Sequence, residues 1–116
     1  MIERRKFIRL QAPIAIVYKL VKKSKRLKPQ SSLIKNIGGG GVRILVKEDL
    51  RSGDLLDLEI QIPHYKESVR AVGEVVWFAH ITERDRDTRE VGLRFRDIKP
   101  EDLHKVLEFV HTIGIG

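Results

Sequence analysis

The chain has 116 residues, a formal net charge of +7 and no cysteine. A chain of this length fits a single domain, here residues 1–116, with one hydrophobic core. The lack of cysteine excludes disulfides, thiolate nucleophiles and cysteine-based zinc sites. No apolar run approaches the roughly 18 residues that a membrane-spanning helix needs, and the N-terminus is charged, so we expect a cytoplasmic protein.

The excess positive charge is confined to the N-terminal quarter of the sequence. Residues 1–28 hold ten Lys and Arg against one acidic residue, a net of +9, whereas residues 29–116 hold thirteen against fifteen, a net of −2. Such an asymmetric chain attracts polyanions over a long range. The charge alone does not distinguish nucleic acid, anionic lipid and a phosphorylated small molecule.

Six stretches have the composition or the alternation of β-strands. In the clearest of them, residues 56–62, apolar and polar side chains alternate strictly, which is typical of a strand with one buried face. Gly73 lies inside the fifth stretch, where we expect a bend or a bulge. The predicted strands are residues 14–21, 31–35, 41–46, 56–62, 68–78 and 90–96.

The period changes after the last strand. Pro100 followed by two acidic residues is typical of a helix start, and Gly114 is typical of a helix end, which predicts a helix over residues 99–114. Apolar residues at helical spacing make this helix amphipathic. The residues predicted on its buried face are Leu103, Val106, Leu107, Val110 and Ile113. Strands at regular spacing followed by one helix predict a mainly β fold, a small antiparallel barrel capped or flanked by that helix.

Two short motifs predict a site for an anion or a nucleotide. Arg5 and Arg9 are four residues apart and follow Arg4, and a guanidinium binds phosphates and the edge of guanine through paired hydrogen bonds. Residues 36–41 read Asn-Ile-Gly-Gly-Gly-Gly, and glycines allow a close approach of the backbone. The alternatives are a solvated basic segment for the first motif and a hairpin turn for the second.

Nothing in the sequence indicates catalysis. The four histidines lack metal-binding spacing, and no serine has the setting of a nucleophile, so we predict no catalytic residue, no metal site and no cofactor. Trp77 and Phe78 are typical of a core with one partly exposed aromatic ring. The alternative is a stacking surface for a nucleotide base.

The two motifs in this order resemble the PilZ domain, a bacterial module that binds the second messenger cyclic di-GMP. That family carries RxxxR, often after another arginine, and then (D/N)xSxxG at the start of a strand. Arg5 and Arg9 match the first motif, and Asn36 and Gly41 match the ends of the second, whereas Gly38 stands at the serine position. The later strands, Trp77 and the C-terminal helix follow in the family's order. The resemblance implies a six-stranded antiparallel β-barrel of the split-barrel type over residues 11–98, an arm over residues 1–10 and the helix.

The resemblance also implies a role for each motif residue. Arg5 and Arg9 would grip the guanine edges and phosphates of cyclic di-GMP, and Arg4 would add charge. Asn36 would offer its amide to a guanine, Gly41 would keep the backbone close to the ligand, and Gly38 would supply backbone groups only. The missing serine hydroxyl corresponds to about 0.5 to 1.5 kcal/mol, roughly a factor of two to ten in affinity.

The function implied is that of a receptor or adaptor in bacterial signal transduction. The ligand would neutralise a mobile basic arm and fold it against the barrel, and a downstream effector protein would read the new surface. One alternative is a degenerate PilZ-like adaptor that acts through protein contacts only. The other is a small basic β-barrel that binds nucleic acid through the same arm.

Overall fold

The computed structural model describes residues 14–21, 28–80 and 88–115. In these ranges six strands are followed by one helix: β1 Ile14–Leu20, β2 Gln30–Gly38, β3 Gly41–Val46, β4 Leu55–Ile60, β5 Val69–His80, β6 Arg89–Ile98 and α1 Pro100–Ile115. The strands pair antiparallel and close into a barrel in the order β1-β2-β3-β6-β5-β4. The predicted six-stranded antiparallel barrel with a C-terminal helix is confirmed.

Alternate residues of each strand fill the barrel interior. Ile16 on β1 and Leu56, Leu58 and Ile60 on β4 are fully or almost fully buried, and the residues that alternate with them face solvent. Burial of one such side chain contributes about 1.5 to 3 kcal/mol. The strict alternation in the sequence therefore encodes a single apolar interior and one polar outer face.

Of the six predicted strands only β3 has the same bounds in the structure, and the differences at β2 and β4 have clear physical reasons. β2 runs from Gln30 to Gly38 rather than over residues 31–35, because its ladder with β3 continues to the pair Gly38 and Gly41, and only Gly39 and Gly40 form the turn. β4 ends at Ile60, two residues before the predicted end, although Ile62 is buried. Pro63, which has no N–H for a ladder, follows that residue.

Helix α1 runs from Pro100 to Ile115, one residue later at each end than the predicted range 99–114, so Gly114 does not end it. It packs against β2 and β5 at one end of the barrel. Val106 and Phe109 are its buried residues, and Leu107 is 48% exposed, so the prediction that Leu107 belongs to the buried face is wrong. The buried residues are three apart, which places Leu107 at the edge of the contact, against Gly39. No helix in the described ranges is long and apolar enough to cross a membrane.

Polar contacts of the first and the middle turns tie α1 to the barrel. The Arg70 backbone N–H donates to Asp102 Oδ2 at 3.3 Å, and the Tyr65 hydroxyl donates to the Glu108 carboxylate. That hydrogen bond raises the pKa of Tyr65, because it favours the neutral phenol beside a carboxylate. These contacts fix the helix at the barrel end where β4 ends and β5 begins.

Candidate ligand-binding site

The motif residues of the sequence fall into two groups. Arg4, Arg5 and Arg9 lie outside the described residues. Asn36, Gly38 and Gly41 lie on the β2–β3 hairpin.

The hairpin is close to the start of β1. Ile14, the first residue of β1, pairs with Ile34 of β2. The strand that follows the arginine motif in the chain therefore begins next to the strand that carries Asn36.

Four positions on the outer face form a row across neighbouring strands. Asn36 on β2 pairs with Arg43 on β3, Arg43 pairs with Gly92 on β6, and Gly92 pairs with Trp77 on β5. The row places an amide, a guanidinium and an indole side by side around a residue that has no side chain. This is a set of groups that can bond to and stack on a nucleotide.

Two register shifts create this row. In β2 the shift lies between Ile34 and Asn36, and in β5 it lies between Val75 and Trp77. Strict alternation after a buried Ile34 or Val75 would turn the second residue along the strand, Asn36 or Trp77, into the barrel. The extra residue of each bulge turns it outward instead.

The guanidinium of Arg43 is stacked on Trp77 and held there by a carboxylate. Its Cζ lies 4.8 Å from the centroid of the indole, a cation–π distance. Its Nε donates to Glu90 Oε2 at 2.8 Å, and Lys35 Nζ lies 3.6 Å from the other oxygen of Glu90. The Glu90 side chain is only 12% exposed, so the ion pair orients Arg43 from behind.

Gly92 provides the space in which the indole lies. A Cβ at this position would come within 2.6 Å of Trp77 Cε2, closer than such atoms approach in proteins. The absence of a side chain on β6 therefore lets the ring lie flat on the strand. Trp77 is 38% exposed and Phe78 is 46% exposed, so the expectation that one of these two rings lies in the core is wrong.

A shallow depression of about 210 Å³ lies along this row. Among the described residues that line it are two arginines and no carboxylate. The residues that matter here are Asn36, Gly41, Arg43, Trp77, Gly92 and Arg94. The lining therefore favours an anionic ligand with aromatic faces.

The end of the glycine run lines the depression, and the run also allows close packing of the neighbouring chain segments. A Cβ on Gly41 would overlap the backbone carbonyl of Leu93, and a Cβ on Gly39 would meet Leu107 Cδ2 at 2.7 Å. A Cβ on Gly38 or Gly40 would meet nothing within 4 Å. Packing in the fold therefore favours glycine at two of the four positions, Gly39 and Gly41. Gly38, at the position of the family serine, has room for a side chain.

Arg94 borders the depression on its other side. Arg94 Nη2 and Arg96 Nη1 both donate to Glu74 Oε1, each at 2.9 Å. Hydrogen bonds from Arg94 and then from Arg96 hold the pKa of Glu74 below its ordinary value, so the carboxylate stays ionised.

A larger cavity of about 490 Å³ lies elsewhere, against β1, β4, β5, β6 and the start of α1. None of the described motif residues lines it. The described residues also contain no group of His, Asp and Glu arranged to hold a metal ion.

The family model of the PilZ domain matches residues 3–111, and the chain belongs to this family. No curated protein matches the sequence.

Solved structures share the fold at low sequence identity. The inhibitor of motility MotI/DgrA of Bacillus subtilis has a TM-score of 0.75 at 19% identity, over 98% of this chain and 53% of that one. The PilZ domain of YcgR from Escherichia coli, with c-di-GMP, has a TM-score of 0.66 at 14% identity, over 97% and 93%. The MrkH–c-di-GMP complex of K. pneumonia has a TM-score of 0.72 at 17% identity, over 98% and 54%. This chain spans about half the length of MotI/DgrA and MrkH.

No signal in the sequence marks Arg43, Glu90 or Arg94 as site residues. Each is an outward residue of an alternating strand, and such residues are usually solvated. Whether they can take part in a site depends on the residues that they pair with on the neighbouring strands. The bulges that set this register leave no clear signal in the sequence.

Proposed function

We propose that this domain is a cytoplasmic receptor for cyclic di-GMP, which it binds on the outer face of β2, β3, β6 and β5. The observation that carries the proposal is that Asn36 and Gly41 border the same depression as the stack of Arg43 on Trp77. This combination suits a guanine dinucleotide, whose bases present flat faces and acceptor edges and whose phosphates carry charge. The family membership and the c-di-GMP complexes of YcgR and MrkH support it.

Each motif residue has a role in this proposal. Arg5 and Arg9, assisted by Arg4, bond to the phosphates and guanine edges, and Asn36 offers its amide to a guanine. Gly38 contributes backbone groups only. Charge-assisted hydrogen bonds contribute about 1.5 to 3 kcal/mol each, against about 0.5 to 1.5 kcal/mol for the hydroxyl that Gly38 lacks, so the arginines dominate affinity.

The stack of Arg43 on Trp77 adds a platform for one base. Stacking of a base on an aromatic ring contributes about 1 to 3 kcal/mol. Because Glu90 and Gly92 fix the guanidinium and the ring before the ligand arrives, less side-chain entropy is lost on binding.

The consequence of binding is a switch without chemistry. Residues 1–28 carry a net charge of +9, and a ligand with two phosphates neutralises part of it. We infer that the arm over residues 1–10 then closes against the barrel near Asn36 and Gly41. A downstream effector protein reads the surface that this creates.

Isothermal titration calorimetry with cyclic di-GMP tests the proposal on the wild type, Arg5→Ala and Arg9→Ala. Arg51→Ala is the control, since this exposed arginine lies in the turn between β3 and β4 and does not line the depression. We expect the wild type and the control to bind cyclic di-GMP with the same affinity. Each motif variant should bind it about 100-fold more weakly, because two charge-assisted hydrogen bonds are lost. Undiminished binding by both motif variants would contradict the proposed site.

Nucleic-acid binding is a second candidate that the basic N-terminal segment favours. It predicts that affinity for RNA or DNA falls steeply with salt and that cyclic di-GMP has little effect. Titration of a labelled oligonucleotide at two salt concentrations, with and without cyclic di-GMP, distinguishes it from the first.

A further inference from the structure

Arg94 lies where β6 passes between the glycine hairpin and β5. It pairs with Gly41 on β3 on one side and with Glu74 on β5 on the other, and Gly41 in turn pairs with Gly38 on β2. No side chain on either of these glycines covers it. The Arg94 side chain is accordingly 61% exposed, at the rim of the depression.

The carboxylate of Glu74 serves two guanidinium groups at once. The register shift in β6 between Phe95 and Asp97 inserts Arg96 as an extra residue, and Arg96 reaches the same oxygen as Arg94. The Glu74 side chain is 18% exposed and lies behind both arginines. Two cations on one carboxylate leave one positive charge in excess at this rim.

Arg94 has donors to spare for a ligand. In its hydrogen bonds with described residues only Nη2 is engaged, with Glu74, whereas a guanidinium carries several further N–H groups in a planar fork. An arginine that is anchored through one nitrogen keeps a fixed orientation, and its other N–H groups can still donate to a ligand. Arg96 can continue to neutralise Glu74 when Arg94 turns its free donors to an anion.

The position along the depression indicates which part of the ligand it meets. Trp77 and Arg43 provide a flat stacking surface one row away, whereas the row of Arg94 presents bare glycine backbone and excess charge. Such a row suits a phosphate, which needs donors and space for its oxygens. We propose that Arg94 is a phosphate-binding residue outside both sequence motifs, and that Glu74 positions it.

This inference rests on the proposed function and is tested by a matched pair. Arg94→Ala and Arg96→Ala each remove one arginine from the same Glu74 oxygen, at nearly equal side-chain exposure of 61% and 59%, but only Arg94 lines the depression. In calorimetry with cyclic di-GMP we expect Arg94→Ala to weaken binding by roughly 10-fold or more and Arg96→Ala by less than about 2-fold. Arg94→Lys keeps the charge and should lie between them.

The outcomes separate the two proposals. If Arg94→Ala binds like the wild type while Arg5→Ala does not, the role of Arg94 is wrong and the proposed function stands. Equal losses in Arg94→Ala and Arg96→Ala, at unchanged melting temperature, would assign the effect to general charge and also overturn the inference. If the wild type does not bind cyclic di-GMP at all, the proposed function fails, and the inference fails with it.

Discussion

Two concave surfaces of the barrel differ in their chemistry, and the smaller of the two is the proposed ligand site. The depression of about 210 Å³ is lined by arginines, an indole and glycine backbone, without a carboxylate among its described lining residues. The cavity of about 490 Å³ on the other face combines basic with acidic side chains. Its charged lining residues are Lys19, Asp57, Glu59, Arg70, Asp97, Lys99 and Asp102.

For an anionic ligand, the charge of the side chains that line a site matters more than the volume of the site. Carboxylates at the larger cavity repel phosphates, and its Arg70 is already 3.6 Å from Glu59. At the depression the acidic residues Glu90 and Glu74 stand behind the arginines that they orient. The same residue types therefore give a surface that attracts anions at the depression. At the larger cavity the basic and acidic side chains offset each other.

The largest expected difference between the two faces follows from charge reversal. Arg9→Glu replaces a proposed ligand donor by a repelling charge, and we expect it to reduce the affinity for cyclic di-GMP by more than about 100-fold. Lys19→Glu makes the same change of charge at the larger cavity and should change affinity by less than about 3-fold. Calorimetry on both variants measures the contrast, and a larger effect of Lys19→Glu would move the site to that face.

Removal of the stacking platform should have the next largest effect. Trp77→Ala is expected to weaken binding of cyclic di-GMP by about 5- to 150-fold, since base stacking contributes about 1 to 3 kcal/mol, whereas Trp77→Phe keeps a ring and most of the affinity. Val17→Ala, at an exposed position of the larger cavity, is the control. Fluorescence anisotropy of a labelled ligand measures all three, and unchanged affinity in Trp77→Ala would exclude the stack from the site.

Substitution by alanine should affect stability differently at two glycines of the run. Gly41→Ala places a Cβ against the Leu93 carbonyl and is expected to cost about 1 to 3 kcal/mol of the free energy of unfolding. Gly38→Ala meets open space and should change stability little. Chemical denaturation compares them, and equal stabilities would contradict the β3–β6 register described here.

A gain of affinity is expected where the family serine is restored. Gly38→Ser introduces a hydroxyl at a position with room for it, and we expect binding of cyclic di-GMP to tighten by about two- to ten-fold. Gly38→Ala has the added volume without the hydroxyl and should match the wild type. Identical affinities for Ser and Ala would show that the hydroxyl has no partner in this member of the family.

The smallest expected effect concerns pH. Because Arg94 and Arg96 lower the pKa of Glu74 in the folded state, the carboxylate stabilises the fold at pH values above its ordinary pKa. This contribution is lost as the pH falls through the lowered pKa. Melting temperatures of Glu74→Gln across acidic pH should therefore fall less steeply than those of the wild type. Glu67→Gln, at an exposed position outside this cluster, should follow the wild type.

Much of the fold can be predicted from the sequence, because buried alternation and the change of period at Pro100 are local signals. The end of β2 could not be predicted, because a glycine run is typical of turns and only the pairing with β3 extends the strand to Gly38. The exposure of Leu107 likewise depends on how α1 is rotated against the barrel, which the heptad-like spacing alone does not determine.

The candidate site is predictable only in part. Asn36 and Gly41 belong to a recognisable motif, and the structure places them at one depression. Arg43 and Arg94 become meaningful only through cross-strand partners that lie about fifty residues away in the chain, Glu90 for the first and Gly41 for the second. Non-local pairing and β-bulges decide such neighbours, and neither is encoded in a short window of sequence.

The most direct test of the central claim is a titration of isotope-labelled protein with cyclic di-GMP, followed by amide chemical shifts and by the indole N–H of Trp77, the one tryptophan in the chain. We expect the largest shifts at Trp77, in residues 36–43 and in residues 92–94, with little change at Asp57 and Asp97. Shifts concentrated at Asp57 and Asp97, or none at saturating ligand, would contradict it.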